Sequence, residues 1–412
     1  MRSATSPEEL ALVQRRTLVV VVATQVLGGA GLAAGVTVGA LLAAQLLGGE
    51  GYAGLPIGVL TLGSALTAYL VGRLTQRRGR RPGLGAGFAA GGIGALGVVA
   101  GAATGSIVLL LAALFVYGAG SATNLQARYA GTDLAPPHRR GLTVSVSLVS
   151  TTLGAVAGPN LITPTGRVAE AWGLPALTGP FLLAGAAYLA AALVLTVFLR
   201  PDPYLLARRA LGTTAPAAAG TGSGRPRIGR GVVAGATVLV VAQIAMTAVM
   251  TMTPVHLLEH HHGLEAVGLV IGLHIAAMYL QSLLTGSLVD RVGRTPVAAA
   301  SGAGLVLAGL AAALLGDSIA ASVVALVLLG LAWNAGLIAG TAMVVDATTP
   351  AERGRVQGSV DVLVALAGAG GGAVSGVVVA MSSYGVLALL GGALALALVP
   401  VLVLRGGGVR TA

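Results

Sequence analysis

GRLTQRRGRRP, residues 72 to 82, and GSLVDRVGRTP, residues 286 to 296, are one short loop written twice, 214 positions apart. Each opens on glycine (Gly72, Gly286) and carries an amide or acid at its fifth place (Gln76, Asp290). Arginine follows (Arg77, Arg291), then Gly-Arg (Gly79-Arg80, Gly293-Arg294), and the loop closes on proline. A second pair of landmarks recurs at almost the same offset. Asp133 is followed seven residues on by Arg140-Gly141, and Asp346 by Arg353-Gly354 at the same spacing. Polar landmarks that recur in order while the intervening sequence drifts mark a duplicated half.

The intervening sequence is apolar throughout. In 412 residues, 56% are hydrophobic and 9% charged, and the mean hydropathy is +0.91. That leaves too little polar surface to cover a soluble globule, whereas lipid-facing helices need none. Runs of about 20 apolar residues are long enough to span a bilayer. Twelve can be read: 17–46, 54–74, 84–103, 106–126, 143–163, 175–199, 231–256, 265–288, 297–316, 319–345, 358–381 and 383–404. The expected fold is an all-α membrane protein with twelve transmembrane helices in two pseudo-symmetric six-helix halves. The halves are 1–199 and 231–412, joined by a Pro, Gly, Ser and Thr-rich linker over 200–230. The 64 glycines suit close helix packing. The N-terminal apolar stretch is too long for a signal peptide and is read as an uncleaved span.

The net charge of +11 is carried by arginine alone, with no lysine. Basic residues stay on the cytoplasmic side. With both termini cytoplasmic, every arginine but Arg167 lies inside or at an inner helix end. The lipid bilayer therefore accounts for the charge, and no nucleic-acid partner is needed. Cysteine is absent, which excludes disulfides and thiolate metal sites. No Ser, His and Asp trio is suggested by spacing, and the glycine-rich GLGAGFAAGG at Gly83 falls inside a span rather than after a strand. Nothing points to an enzyme or to a bound cofactor.

The repeated loop resembles the signature loop of the major facilitator superfamily, over essentially the whole chain. The resemblance implies a secondary transporter with cytoplasmic gate loops built from Gly72, Gln76, Arg77, Gly79, Arg80, Gly286, Asp290, Arg291, Gly293 and Arg294. Gly72 and Gly286 permit close helix contact, and the loop charges pair with inner helix ends. Gln76 stands where Asp is usual, so the first latch is expected to be the weaker. Asp361, near the inner end of span 11, is the expected partner of the first loop's arginines. The plainer alternative is a solvated basic loop obeying the topology rule. GAVAGP in span 5, with Gly154, Gly158 and Pro159, resembles an antiporter motif of the same superfamily and is equally explained by helix packing. The companion arginine early in span 4 is replaced by Leu114.

One further stretch stands out. Residues 246–278 hold five of the six histidines and four of the seven methionines. Met246 and Met250 share a helix face in span 7, and His274 and Met278 share one in span 8. His256, His260, His261 and His262 fall in the turn expected after Pro254, where they read either as outer metal capture or as a solvated polar turn. Thioethers are soft, neutral ligands that favour Cu(I), and imidazole is a good companion. A neutral ligand set also avoids burying charge in hydrocarbon. Methionine as packing filler is the competing reading. MTAVM followed by HIAAM resembles the Met-x-x-x-Met and His-x-x-x-Met pairs of CcoA-like copper importers, in type, spacing and span. That resemblance implies copper as the transported substrate, Met246, Met250, His274 and Met278 as its ligands, alternating access as the mechanism, and a bacterial cytoplasmic membrane location. The alternative is a proton-coupled drug exporter or an organic-metabolite transporter, for example of a riboflavin-like solute. Gln25, Asn124, Gln126, Asn160, Gln243 and Asn334 either line the path or join helices. Energy coupling is unassigned.

Overall fold

The computed structural model describes residues 7–37, 55–210, 229–262, 264–315 and 318–406. The expected end of the first span, 38–46, and linker residues 211–228 lie outside the described residues. The described residues form helices and turns, with no strand among them.

In chain order the α-helices are α1 (Pro7–Thr37), α2 (Leu55–Arg78), α3 (Arg80–Ala103), α4 (Ile107–Thr132), α5 (Arg140–Asn160), α6 (Ile162–Ala171), α7 (Gly179–Phe198) and α8 (Pro203–Ala210). The second repeat supplies α9 (Arg230–Glu259), α10 (Leu264–Tyr279), α11 (Ser282–Val292), α12 (Arg294–Leu314), α13 (Ile319–Asp346), α14 (Arg353–Met381), α15 (Tyr384–Ala395) and α16 (Leu398–Gly406). Ser106, Ser318 and Ser383 start α4, α13 and α15 by accepting a backbone N–H of the first turn.

Ten helical stretches among the described residues are long and apolar enough to cross a membrane. Helices α2 and α5 stand at two more of the places expected for spans. Helix α2 carries Arg73, Arg77 and Arg78, and α5 carries a run of Ser and Thr. In α5 the hydroxyls of Thr143, Ser145, Ser150, Thr151 and Thr152 each donate to the carbonyl four residues back. A hydroxyl satisfied by its own helix needs no water, so this polarity is compatible with an apolar setting.

The chain divides by contact into two compact units. One comprises Met1–Pro136, Val146–Gly224 and Thr349–Ala365; the other comprises Pro137–Ser145, Arg225–Thr348 and Leu366–Ala412. Division by repeat and division by contact thus differ in two short segments: the start of α5 is counted with the second repeat, and the start of α14 with the first.

The first unit has an aromatic centre in which Tyr117 lies 5.5 Å from Phe181 and 5.7 Å from Tyr188, centroid to centroid. Gly120 has no room for a side chain because the Tyr188 ring fills that place. Large apolar residues such as Val108, Leu153, Leu193 and Leu284 are exposed, as lipid-facing positions are.

Candidate functional site

The repeated loop makes the same turn in both units. Gly79 and Gly293 sit at φ 100° and 107° between one helix and the next, a backbone region that side chains disfavour. The turn then aims the following arginine back at the end of α4 in the first unit and of α13 in the second. Arg80 Nε lies 2.8 Å from Asp133, and Arg353 lies 3.6 Å from the same carboxylate. In the second unit Arg294 lies 2.9 Å and Arg140 2.5 Å from Asp346. Two arginines clamp one aspartate at each place, and each trio draws one arginine from the other repeat. Arg77 and Arg291 are exposed instead.

The fifth loop position differs in chemistry. Asp290 accepts from the backbone N–H of Gly141 at 2.9 Å and of Leu142 at 2.8 Å, so its carboxylate caps the first turn of α5. Gln76 meets the equivalent turn of α14: its Oε1 accepts from Arg355 N at 3.2 Å and from the Tyr204 hydroxyl at 2.9 Å, while its Nε2 donates to the Ala351 carbonyl. A carboxylate at a helix N-terminus gains from both the N–H groups and the macrodipole, and a neutral amide gains mainly from the former. Asp290→Ala is expected to cost about 1 kcal/mol of stability. Urea unfolding of the purified protein against wild type measures it, and an unchanged midpoint would remove this role.

Asp361 does not meet the first loop's arginines as its ion partner. It pairs with Arg128 on α4 at 2.8 Å, and the two side chains are 2% and 0% exposed. Sequence reasoning missed Arg128, whose signal was a lone arginine inside an apolar run. Arg80, the loop arginine nearest in role, is occupied by Asp133 and by Gln357 at 2.5 Å. Gly154 lies against the backbone of α1 around Val26 and Ala30, where a Cβ would clash. Helix packing accounts for that glycine; the side-chain surroundings of Gly158 and Pro159 lie outside the description.

The histidines and methionines of residues 246–278 all fall in the second unit. His274 is fully buried. Its Nδ1 lies 2.7 Å from the Leu326 carbonyl of α13, an atom that only accepts, so Nδ1 carries the proton in the neutral ring. Nε2 is buried and meets no hydrogen-bond partner. One turn on, Met278 is also buried. Directly after it the expected continuous span 8 breaks between α10 and α11. Asn334 Nδ2 fills the break, donating to the Met278 carbonyl at 2.7 Å and to Ser282 Oγ at 2.7 Å.

On α9, Ala242 meets Gly336 and Leu239 meets Gly340, which fixes the face turned to α13. Buried Met246 continues that stripe one turn further, and Met250 one turn beyond it. Pro254, inside α9, offers no N–H to the Met250 carbonyl. Trp333 of α13 ties the two motifs together: its Nε1 donates to Gln243 at 3.0 Å, one turn before Met246, and its ring lies 5.8 Å from Tyr279, next to Met278. Among the described residues no three of His, Asp and Glu gather as metal ligands, so a metal here would depend on thioethers.

The outer histidines are arranged differently from expectation. Helix α9 runs past Pro254 to Glu259, which places His256 on the helix rather than in a turn. Its ring stacks on Tyr384 at 4.3 Å and meets His260 at 4.3 Å. His260 Nδ1 is 2.8 Å from the His256 carbonyl. His261, at φ 60°, closes the helix, and His262 N bonds Leu257 O at 3.0 Å. This is a helix C-cap.

Residues 21–233 and 235–408 match the family model of the Major Facilitator Superfamily. YdeG of Bacillus subtilis strain 168, an uncharacterized MFS-type transporter, is 56% identical over 378 residues, covering 91% of this chain and 88% of that protein. The riboflavin transporter RfnT of Brucella anthropi is 31% identical over 360 residues, covering 84% and 85%. Among solved structures, the human organic anion transporter MFSD10 (TETRAN) superposes with a TM-score of 0.75 at 19% identity, covering 94% of this chain and 99% of that one.

Proposed function

The chain belongs to the Major Facilitator Superfamily and is a multi-pass membrane transporter of small solutes; on that premise we propose that its substrate is copper, taken up as Cu(I) across a bacterial cytoplasmic membrane. The observation that carries this reading is His274. A buried imidazole whose Nδ1–H is fixed by the Leu326 carbonyl, and whose Nε2 lone pair is left without a donor, has the form of a metal-ligating histidine held by its outer partner. Burying such a nitrogen unused is unfavourable. Met246 and Met250 on α9 and Met278 on α10 supply neutral sulfur, and both helices pack on α13. Soft, uncharged ligands suit a monovalent soft ion and leave no surplus charge behind when it departs. The helix break after Met278 supports the same place, since interrupted helices mark substrate sites in transporters.

An organic solute is the second reading, favoured by the 31% identity to a riboflavin transporter. Copper and riboflavin uptake are to be measured in cells expressing wild type or Met246→Ala, Met250→Ala, His274→Ala or Met278→Ala at matched membrane levels. Copper uptake by wild type, falling about tenfold or more in each variant, is the expected result. Riboflavin uptake with no copper flux would replace this reading by the second, and normal copper flux in all four variants would remove the ligand assignment.

A further inference from the structure

We propose that His256 and His260 form a binding site for a divalent transition metal, with Cu(II) preferred, at the end of α9 and apart from the methionine set. The two histidines are one turn apart and so share a helix face, and their ring centroids lie 4.3 Å from each other. They meet because α9 does not stop at Pro254 but runs on to Glu259. Two imidazoles on successive turns of a helix can turn a nitrogen to one ion without any movement of the backbone.

Both rings are held in place. His260 Nδ1 lies 2.8 Å from the His256 carbonyl, which only accepts, so Nδ1 carries the proton and Nε2 the lone pair of the neutral ring. A histidine fixed through one nitrogen is oriented to ligate through the other. His256 stacks on Tyr384 at 4.3 Å, with the two planes 13° apart. Tyr384 is itself buried, and its hydroxyl lies 3.0 Å from Thr253 Oγ1, one turn before His256. Rings already fixed lose little further freedom when an ion binds. Access is open as well, since His260 is exposed and His256 half-buried, at the end of the stretch Arg230–Leu257 that is long and apolar enough to cross a membrane.

The donor set and its place both separate this pair from the methionines. Met252, one turn before His256, lies against Gly376 of α14, and among the described residues no third His, Asp or Glu joins the two rings. Two imidazoles completed by water suit a borderline divalent ion, and of these Cu(II) binds more tightly than Ni(II) or Zn(II). Met246 and Met250 continue the face of α9 turned to α13. Ala245 and Val249 instead meet Gly391, and Thr253 meets Tyr384, which fixes the face turned to α15. His256 continues that second face, about 15 Å along the helix axis from Met246. Pro254 deprives this last part of α9 of one backbone hydrogen bond. An ion bound by both rings would staple it, because the two nitrogens converge only while the turn is helical. This inference goes beyond the copper-uptake reading and is independent of it.

Electron paramagnetic resonance of the purified, untagged protein titrated with Cu(II) tests it. The expected result is a stoichiometric Cu(II) signal with the nitrogen splitting of imidazole, its affinity weakened about tenfold or more by His256→Gln or His260→Gln and kept in His261→Gln/His262→Gln. Cu(II) should also raise the thermal unfolding midpoint of wild type but not of His260→Gln, a response that a packing role alone does not produce. Should His256→Gln fold poorly for want of its stack on Tyr384, His260→Gln, at the exposed ring, decides alone. Absence of a stoichiometric signal, an affinity that the single variants retain, or one that His261→Gln/His262→Gln removes overturns the proposal. Cu(II) held by this pair in a protein whose cells take up no copper would keep the site and remove the transport reading. Copper uptake without the Cu(II) signal would do the reverse.

Discussion

Asp133→Ala is expected to destabilise the protein by about 3–5 kcal/mol, whereas Asp346→Ala, the same change at the equivalent place of the second repeat, costs about 1 kcal/mol. The sequence gives no reason to separate them, since each aspartate is clamped by two arginines. Burial separates them. The Asp133 side chain is 0% exposed and its partners Arg80 and Arg353 are 2% and 4% exposed. Removing it strands two positive charges in a low dielectric, facing one another. Asp346 is 25% exposed and its arginines are 17% exposed, so water and headgroups screen what is left behind. The loss at Asp133 is thus mostly the penalty of uncompensated charge, and deleting the charges together should return part of it. Thermal unfolding of both variants in detergent, alongside Arg80→Leu/Asp133→Leu, measures the difference. Equal losses at the two aspartates would show that burial does not decide the matter.

That contrast marks what the sequence carries and where it stops. The repeat, the loops and the helical fold were legible because polar residues are rare in this chain, so each recurrence stood out. The clamped aspartates were visible as landmarks at matching offsets, though not their unequal burial. The partner of Asp361 was not legible. It lies 233 positions away in sequence, and a lone arginine in an apolar run names no partner. The fate of His274 was half legible: its spacing to Met278 placed both on one face, but the Leu326 carbonyl that fixes its tautomer is a backbone atom with no signature in sequence. The break after Met278 was likewise hidden, because the groups that fill it come from Asn334 on another helix. Asn334, Gln126 and Gln243 were read as lining a path or joining helices. Each donates to another residue of its own unit, Gln126 to the Ala68 carbonyl at 2.8 Å and Gln243 to Thr247 at 3.0 Å.

Gly72→Ala is expected to reduce the amount of folded protein in the membrane severely, although it adds a single methyl group. A Cβ on Gly72 would stand 2.7 Å from the Gly358 Cα and 3.0 Å from the Gly354 carbonyl. Those are backbone atoms, which cannot rotate aside as a side chain can. Helices α2 and α14 must move apart, and with them Gln76, whose contacts to Arg355 and Ala351 lie one turn further along. Overpacking of this kind costs about 1–3 kcal/mol and sometimes more, and here it adds to the loss of the Gln76 contacts. Gly286→Ala should behave alike, with the Gly141 carbonyl 2.6 Å from the added carbon. Gly370→Ala, in α14 itself, meets nothing within 4 Å and should be neutral or stabilising by up to about 1 kcal/mol, the intrinsic preference of a helix for alanine. Detergent-solubilised yield and thermal unfolding of the three variants check this. Were Gly370→Ala as damaging as Gly72→Ala, glycine would be needed along α14 for flexibility. If only the loop glycines fail, their role is to let two helix backbones touch where the polar clamps of each unit must close.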